Sequence, residues 1–120
     1  MSVSEQKPTV LIYESGVEPM HLAEVCAGLE EEGIPYSITR ASGDAKLLAA
    51  EAANHSRLRV GIGITRDIAI LQIRNYTMDI PVSNEAAPAL HIKLNDPAAK
   101  HRCRALGTNA ARLVKGSMLI

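Results

Sequence analysis

The chain has 120 residues, its 13 lysines and arginines equal its 13 aspartates and glutamates, and it contains neither phenylalanine nor tryptophan. A chain of this length can bury a core of its own, so we predict a single domain over residues 1–120. Zero net charge argues against a broad phosphate-binding surface, and the few aromatic rings argue against base stacking, so no nucleic-acid partner is expected.

The first half of the chain alternates short apolar runs with helical patterns. In chain order these patterns predict a strand over residues 9–13, a helix over 22–29 that ends at Gly33, a strand over 35–39, an alanine-rich helix over 45–55 and a strand over 58–64. Because strands and helices alternate, the order favours parallel strands joined by right-handed crossovers.

The fourth predicted strand has to break that pattern. Only three residues separate the third strand, which ends at Ile64, from the apolar run over residues 68–73. A crossover between parallel strands needs about a dozen residues, so this strand is expected to fold back antiparallel. Further along, residues 90–94 alternate between apolar and polar side chains, which predicts a half-exposed fifth strand.

The last predicted element is one long helix. Asp96 and Pro97 are typical of an N-cap and a first helical turn, and the apolar stripe then continues through Gly107 to about Lys115. We therefore predict a three-layer α/β fold, with helices around a mostly parallel five-stranded sheet that contains one antiparallel strand.

Two features bear on the compartment. No stretch approaches the roughly 20 apolar residues of a membrane span, and the first residues have no hydrophobic signal segment, so we expect a cytoplasmic protein with no membrane partner. Cys26 and Cys103 lie in helical apolar patterns and form no Cys-x-x-Cys pair. That placement favours buried free thiols over a disulfide or a metal site.

Motifs of catalysis are mostly absent. The sequence contains no nucleophile elbow, no Walker A loop and no His-Glu-x-x-His. Gly61 and Gly63 lie inside a strand pattern, which favours close packing of a helix on the sheet over dinucleotide binding. The four histidines are scattered, so structural or surface roles are favoured and no catalytic residue is assigned.

An acidic run ends the first predicted helix. The run Glu30–Glu31–Glu32 lies where the helix dipole is already negative, so each carboxylate costs about 0.3–1 kcal/mol. On a helical wheel, Glu24 and Glu31 point away from the apolar stripe, with Gly28 close to them. This is either a solvated face or a site for a cation or a basic partner.

The last predicted helix has the opposite charge. Its mostly basic outer face is formed by Lys100, Arg104, Thr108, Arg112 and Lys115. Like charges four residues apart repel one another on a helix. The small residues Gly107 and Thr108 interrupt the face and would let another backbone approach closely. A solvated face and an interface are both compatible with this pattern.

Three segments together resemble one known family. They are residues 28–35 (Gly-Leu-Glu-Glu-Glu-Gly-Ile-Pro), residues 58–64 (Leu-Arg-Val-Gly-Ile-Gly-Ile) and residues 106–115 (Leu-Gly-Thr-Asn-Ala-Ala-Arg-Leu-Val-Lys). In this order they resemble the small subunit of the diol/glycerol dehydratase reactivating factor. The sequence departs from that family between Asn75 and Ala89, where it is longer.

The resemblance implies a fold and a function. The fold would be anticodon-binding-domain-like and similar to the dehydratase medium subunit. In this family the small subunit pairs with a large ATPase subunit, with a heterotetramer expected, and the complex acts as a chaperone for adenosylcobalamin-dependent dehydratases. Exchange of subunits with the client dehydratase releases damaged cobalamin. ATP hydrolysis belongs to the large subunit, so this chain would not be an enzyme.

The resemblance also implies site residues. A family glutamate that reaches the magnesium ion at the partner's nucleotide site falls, by motif, on Glu31. Mg²⁺ would then be shared with the large subunit, and the chain would have no cofactor of its own. The remaining interface residues expected are Glu24, Glu30, Glu32, Arg104, Arg112 and Lys115.

Two other functions stay open from the sequence. The chain could be the medium-subunit-like component of a cobalamin-dependent dehydratase itself, although its short length argues against this. It could also be a small independent α/β enzyme that uses His91 or His101 as a base.

Overall fold

The computed structural model describes residues 7–75 and 89–120. Its elements, in chain order, are β1 (Val10–Ser15), α1 (Pro19–Glu31), β2 (Tyr36–Arg40), α2 (Ala45–His55), β3 (Val60–Thr65), β4 (Ile68–Ile73), β5 (His91–Lys93) and α3 (Ala99–Lys115). Every predicted strand and helix is present. The longer segment expected between Asn75 and Ala89 falls on residues 76–88, outside the described part of the chain. Among the helices described, none is long and apolar enough to cross a membrane.

The sheet has the strand order β2-β1-β3-β4-β5. β1 runs parallel to both β2 and β3, whereas β4 is antiparallel to β3 and to β5. The prediction of a mostly parallel sheet with one antiparallel strand is therefore confirmed. The physical reason is connection length, because the short link between β3 and β4 leaves room only for a hairpin.

The two faces of the sheet are covered differently. Buried strand residues such as Ile12 and Ile62, which are neighbours in the register, pack in one core cluster with residues of α1 and α3.

On the other face of the sheet, α2 lies against β3 with almost no gap. A Cβ added at Gly61 would lie 2.6 Å from the carbonyl carbon of Ala52, and one added at Gly63 would lie 2.9 Å from the Cα of Ala49. The predicted close packing on these glycines is confirmed, and the fold has three layers.

The start of α3 differs from the prediction. The helix begins at Ala99, and its N-cap residue Ala98 makes no side-chain cap hydrogen bond. Asp96 lies earlier, where its Oδ1 accepts a hydrogen bond from the Ala98 amide at 2.7 Å and its carbonyl accepts one from the Ala99 amide at 2.9 Å. The N-cap assignment was wrong, because the aspartate caps a local turn in front of the helix instead.

Both cysteines are buried free thiols, as predicted. Burial raises the pKa of Cys26, and a hydrogen bond with Tyr36 acts against that rise. The pKa of Cys103 is raised to about 12, chiefly by burial and secondly by the negative charge of Glu24. Both thiols therefore stay protonated near neutral pH.

Candidate functional site

Helices α1 and α3 touch through their backbones. A Cβ added at Gly28 would lie 2.6 Å from the amide nitrogen of Thr108, and one added at Gly107 would lie 2.9 Å from the carbonyl carbon of Val25. Real Cβ atoms do not come this close to backbone atoms, so both positions require glycine. The close backbone approach predicted at Gly107 and Thr108 is made by α1 of the same chain.

One arginine connects the two helices beside this contact. The Nε of Arg104 donates a hydrogen bond to Oε1 of Glu24 at 3.0 Å, and its Nη1 donates one to Oε1 of Glu31, also at 3.0 Å. The two carboxylates accept from different nitrogens of one planar group, which fixes their relative positions. The hydrogen bond to Glu24, followed by the one to Glu31, raises the pKa of Arg104.

A second ion-pair cluster lies around Glu32. Its Oε1 accepts a hydrogen bond from the Nζ of Lys115 at 3.2 Å and lies 4.0 Å from the Nε of Arg112. Helix α1 has no basic residue in its own last turn. The cations of α3 therefore supply the positive charge that offsets the unfavourable position of these carboxylates at the α1 carboxyl end.

Glu30 lies apart from this cluster. Its side chain accepts a hydrogen bond from the hydroxyl of Tyr36 at 3.4 Å. Successive residues of a helix are rotated by about 100° from one another, so the acidic run splits between two directions. Glu31 and Glu32 meet α3, and Glu30 faces β2.

Several of these charged side chains line a groove between α1 and α3, with a volume of about 530 Å³. Its lining is formed by Glu24, Glu31, Glu32, His101, Arg104, Thr108 and Ile120. The Glu24 side chain is 20% exposed and the Glu31 side chain is 59% exposed, so Glu31 is the carboxylate at the groove opening.

His101 belongs to this groove, although the sequence suggested it only as the base of an independent enzyme. The signal was its spacing, because residues 101, 104 and 108 follow one another on one face of α3. His91, the other candidate base, lies half-buried on β5. The two histidines are thus on separate elements.

The groove can offer one metal ligand but not a complete metal site. Within residues 7–75 and 89–120, no three histidine, cysteine, aspartate or glutamate side chains converge to hold a metal ion. Mg²⁺ in proteins usually keeps several waters and takes one or two carboxylates together with phosphate oxygens. The exposed carboxylate of Glu31 fits one such position, and the other ligands would have to come from a partner and its nucleotide.

The chain is similar to proteins of known family. The sequence model of the dehydratase medium subunit matches residues 7–119. A propanediol dehydratase-reactivating factor small subunit from Citrobacter freundii is 34% identical over 110 residues, which cover 91% of this chain and 87% of that protein.

Two solved structures have the same fold. One, of a diol dehydratase-reactivating factor complexed with ADP and Mg²⁺, matches 96% of this chain and 99% of its own chain, with a TM-score of 0.78 and 29% identity. The other, a glycerol dehydratase reactivase, matches 95% and 97%, with a TM-score of 0.79 and 32% identity.

Proposed function

The chain belongs to the dehydratase medium subunit family, among relatives that are small subunits of dehydratase-reactivating factors, and from this premise we propose that it is the non-catalytic small subunit of a reactivating factor. Its partner is a large ATPase subunit, with a heterotetramer expected, and its client is a cobalamin-dependent diol or glycerol dehydratase. The observation that supports this most directly is the match over 99% of a reactivating-factor chain.

We propose that the subunit acts by exchange. One family model, named for the dehydratase's own medium subunit, matches residues 7–119 of a chain whose relatives are reactivating-factor subunits. A shared fold would let this chain take the place of the medium subunit on a common surface. ATP hydrolysis in the large subunit would drive that exchange, and damaged cobalamin would leave the opened dehydratase.

Within the factor, we propose that Glu31 reaches a magnesium ion at the partner's nucleotide site. Its side chain is the exposed carboxylate of the α1–α3 groove. When bound, the ion neutralises phosphate charge. The contribution of this chain is one carboxylate oxygen at the groove opening. The flanking cations Arg112 and Lys115 and the carboxylates Glu24, Glu30 and Glu32 would complete the surface that meets the large subunit.

The test of Glu31 is the variant Glu31→Gln, which keeps the shape of the side chain and removes its charge. We expect it to abolish the Mg²⁺-dependent part of binding to the large subunit loaded with ADP, measured by calorimetry with and without the ion. The control is Glu51→Gln, because Glu51 is an exposed glutamate on α2, on the other side of the sheet. Unchanged Mg²⁺ dependence in Glu31→Gln would exclude the ligand role.

The family match also supports a second function, that of a medium-subunit-like component of a dehydratase. A pull-down of the chain from its native host separates the two functions. An ATPase-like large subunit in the eluate supports the reactivating factor. Dehydratase catalytic subunits with bound cobalamin, and no ATPase-like subunit, support the second function.

A further inference from the structure

We propose that Arg104 is a positioning residue, which holds the carboxylate of Glu31 at the opening of the α1–α3 groove in the orientation that a cation on the partner requires. The proposal rests on the ligand role of Glu31 proposed above. It adds a residue of α3 to a function that the sequence motif places on α1 alone.

The bridge formed by Glu24, Arg104 and Glu31 extends from the inside of the groove to its opening. The exposed fraction of the side chains rises from 20% for Glu24 through 40% for Arg104 to 59% for Glu31. The less exposed carboxylate thus anchors the guanidinium through Nε, and the guanidinium holds the more exposed carboxylate through Nη1. Because the guanidinium is rigid and planar, the anchor at one edge determines where the other edge points.

The backbone of Arg104 is fixed as well. Its carbonyl accepts a hydrogen bond from Oγ1 of Thr108 at 3.0 Å. The same carbonyl lies directly against Gly28, where no Cβ could be accommodated. The glycine contact therefore sets the distance between the helices at the point where the guanidinium has to reach both glutamates of α1.

The charge of the bridge favours a cation. One guanidinium between two carboxylates gives this group of three side chains a net charge of −1. A pair of Arg104 with Glu31 alone would be neutral and would give a cation no net attraction. Glu24 thus permits Arg104 to orient Glu31 without cancelling its charge.

One oxygen of Glu31 remains available in this arrangement. Arg104 contacts Oε1, and within the described part of the chain no hydrogen bond is made to the other carboxylate oxygen. Partners that orient a metal-binding carboxylate typically change metal affinity about 10- to 100-fold when removed. Because this bridge is partly exposed to solvent, we expect an effect of about tenfold, at the lower end of that range.

The experiment measures the Mg²⁺ concentration that gives half-maximal binding of the full chain to the ADP-loaded large subunit. We expect Arg104→Gln to raise this concentration about tenfold, and Arg104→Lys, which keeps the charge but not the planar fork, to lie between wild type and Arg104→Gln. Adding Arg104→Gln to Glu31→Gln should change nothing further. The control is Arg66→Gln, because Arg66 pairs with Glu18 at the opposite end of α1.

A second measurement separates positioning from the ligand role. In the full chain alone, NMR relaxation of the labelled Glu31 side chain should show that its order falls in Arg104→Gln and in Glu24→Gln but not in Arg66→Gln. Retained order of the Glu31 side chain in Arg104→Gln overturns the positioning role. The role is also overturned if Glu31→Gln abolishes the Mg²⁺ dependence while Arg104→Gln leaves the half-maximal Mg²⁺ concentration unchanged. Lost order in Arg104→Gln together with unchanged Mg²⁺ dependence in Glu31→Gln overturns the ligand role of Glu31.

Discussion

At the scale of single residues, Asn109 shows how one buried polar side chain can join distant parts of the backbone. It is fully buried in α3. Its Nδ2 donates hydrogen bonds to the carbonyls of Ala89 at 3.1 Å and Ile120 at 2.9 Å, and its Oδ1 accepts one from the Ile120 amide at 2.7 Å. The side chain therefore links the segment before β5 and the residues after α3 to the helix between them.

We predict that Asn109→Ala lowers the free energy of unfolding by about 1–3 kcal/mol, because buried backbone groups lose their hydrogen-bond partner. Urea denaturation of the purified chain measures this. The control is Asn54→Ala on α2, where the side chain is exposed. Its effect should stay within about 0.5 kcal/mol. Equal effects of the two substitutions would show that the Asn109 hydrogen bonds contribute no stability.

The charged residues at this scale were recognised in sequence, but their partners were not. The motif and the helix dipole drew attention to the acidic run, and the stripe on the last helix drew attention to Arg104. Neither signal indicated that Arg104 would meet Glu24 and Glu31, which lie 80 and 73 residues away in the chain. These contacts depend on the relative placement of two helices, which local patterns do not contain.

At the scale of elements, the contact between α1 and α3 determines the shape of the groove. Each helix presents a glycine to the backbone of the other, Gly28 on α1 and Gly107 on α3. Because glycine has no side chain, the helix axes lie close together at this contact. The charged side chains beside it are therefore within hydrogen-bond distance of one another. The glycines and the ion pairs are thus two parts of one interface.

We predict that Gly28→Ala lowers the free energy of unfolding by about 1–3 kcal/mol, because the added methyl group forces the helices apart. The same displacement should break the Arg104 bridge, which would appear as a change in the Arg104 Nε–H signal in NMR spectra.

The matched control for this prediction is Gly33→Ala. Gly33 has a φ of +73° and open space around its Cβ position. Alanine there should cost about 1–2 kcal/mol through backbone strain alone and leave the Arg104 signal unchanged. An unperturbed Arg104 signal in Gly28→Ala would mean that the bridge does not depend on the helix contact.

At the scale of the whole molecule, the balanced charge includes two ion-pair clusters of opposite net charge. The bridge of Glu24, Arg104 and Glu31 has one excess negative charge, and the cluster of Glu32 with Arg112 and Lys115 has one excess positive charge. The first cluster lines the α1–α3 groove, and the second reaches it through Glu32. A partner that complements this surface needs both signs of charge.

The stability of the whole molecule should fall in alkaline solution. An unfolded Cys103 thiol loses its proton near pH 9, whereas the folded thiol, with a pKa raised to about 12, keeps it. The folded state then binds more protons, so the free energy of unfolding decreases as pH rises from 9. Tyr36, whose pKa is also raised to about 12 and whose ordinary value is 10, adds to the decrease above pH 10.

We therefore predict that Cys103→Ala makes the decline between pH 9 and 10 shallower than in wild type, by up to about 1.4 kcal/mol per pH unit. Denaturation curves at several pH values give both slopes. The substitution also lowers stability at every pH by leaving a small cavity, but a constant loss does not change a slope. Parallel pH profiles of the two proteins would contradict the raised pKa of Cys103.

Much of the fold could be predicted from local patterns. Apolar periodicity located the eight elements of the described residues. The alternation of strands and helices predicted the parallel strands, and the short connection between β3 and β4 predicted the antiparallel one, because a crossover needs a minimum number of residues. The glycines of β3 indicated the close packing of α2, and the apolar surroundings of the cysteines indicated buried thiols. Each of these inferences uses residues that are near one another in the chain.

The contacts between distant elements were decided only by the tertiary structure. Periodicity shows which face of a helix is polar, but not whether solvent, a partner or another helix covers it. The acidic face of α1 and the basic face of α3 were each compatible with an interface, and in the folded chain they contact each other through Arg104. The packing of α1 and α3 brings them together, because side chains 80 residues apart can pair only after the backbone has placed them within reach.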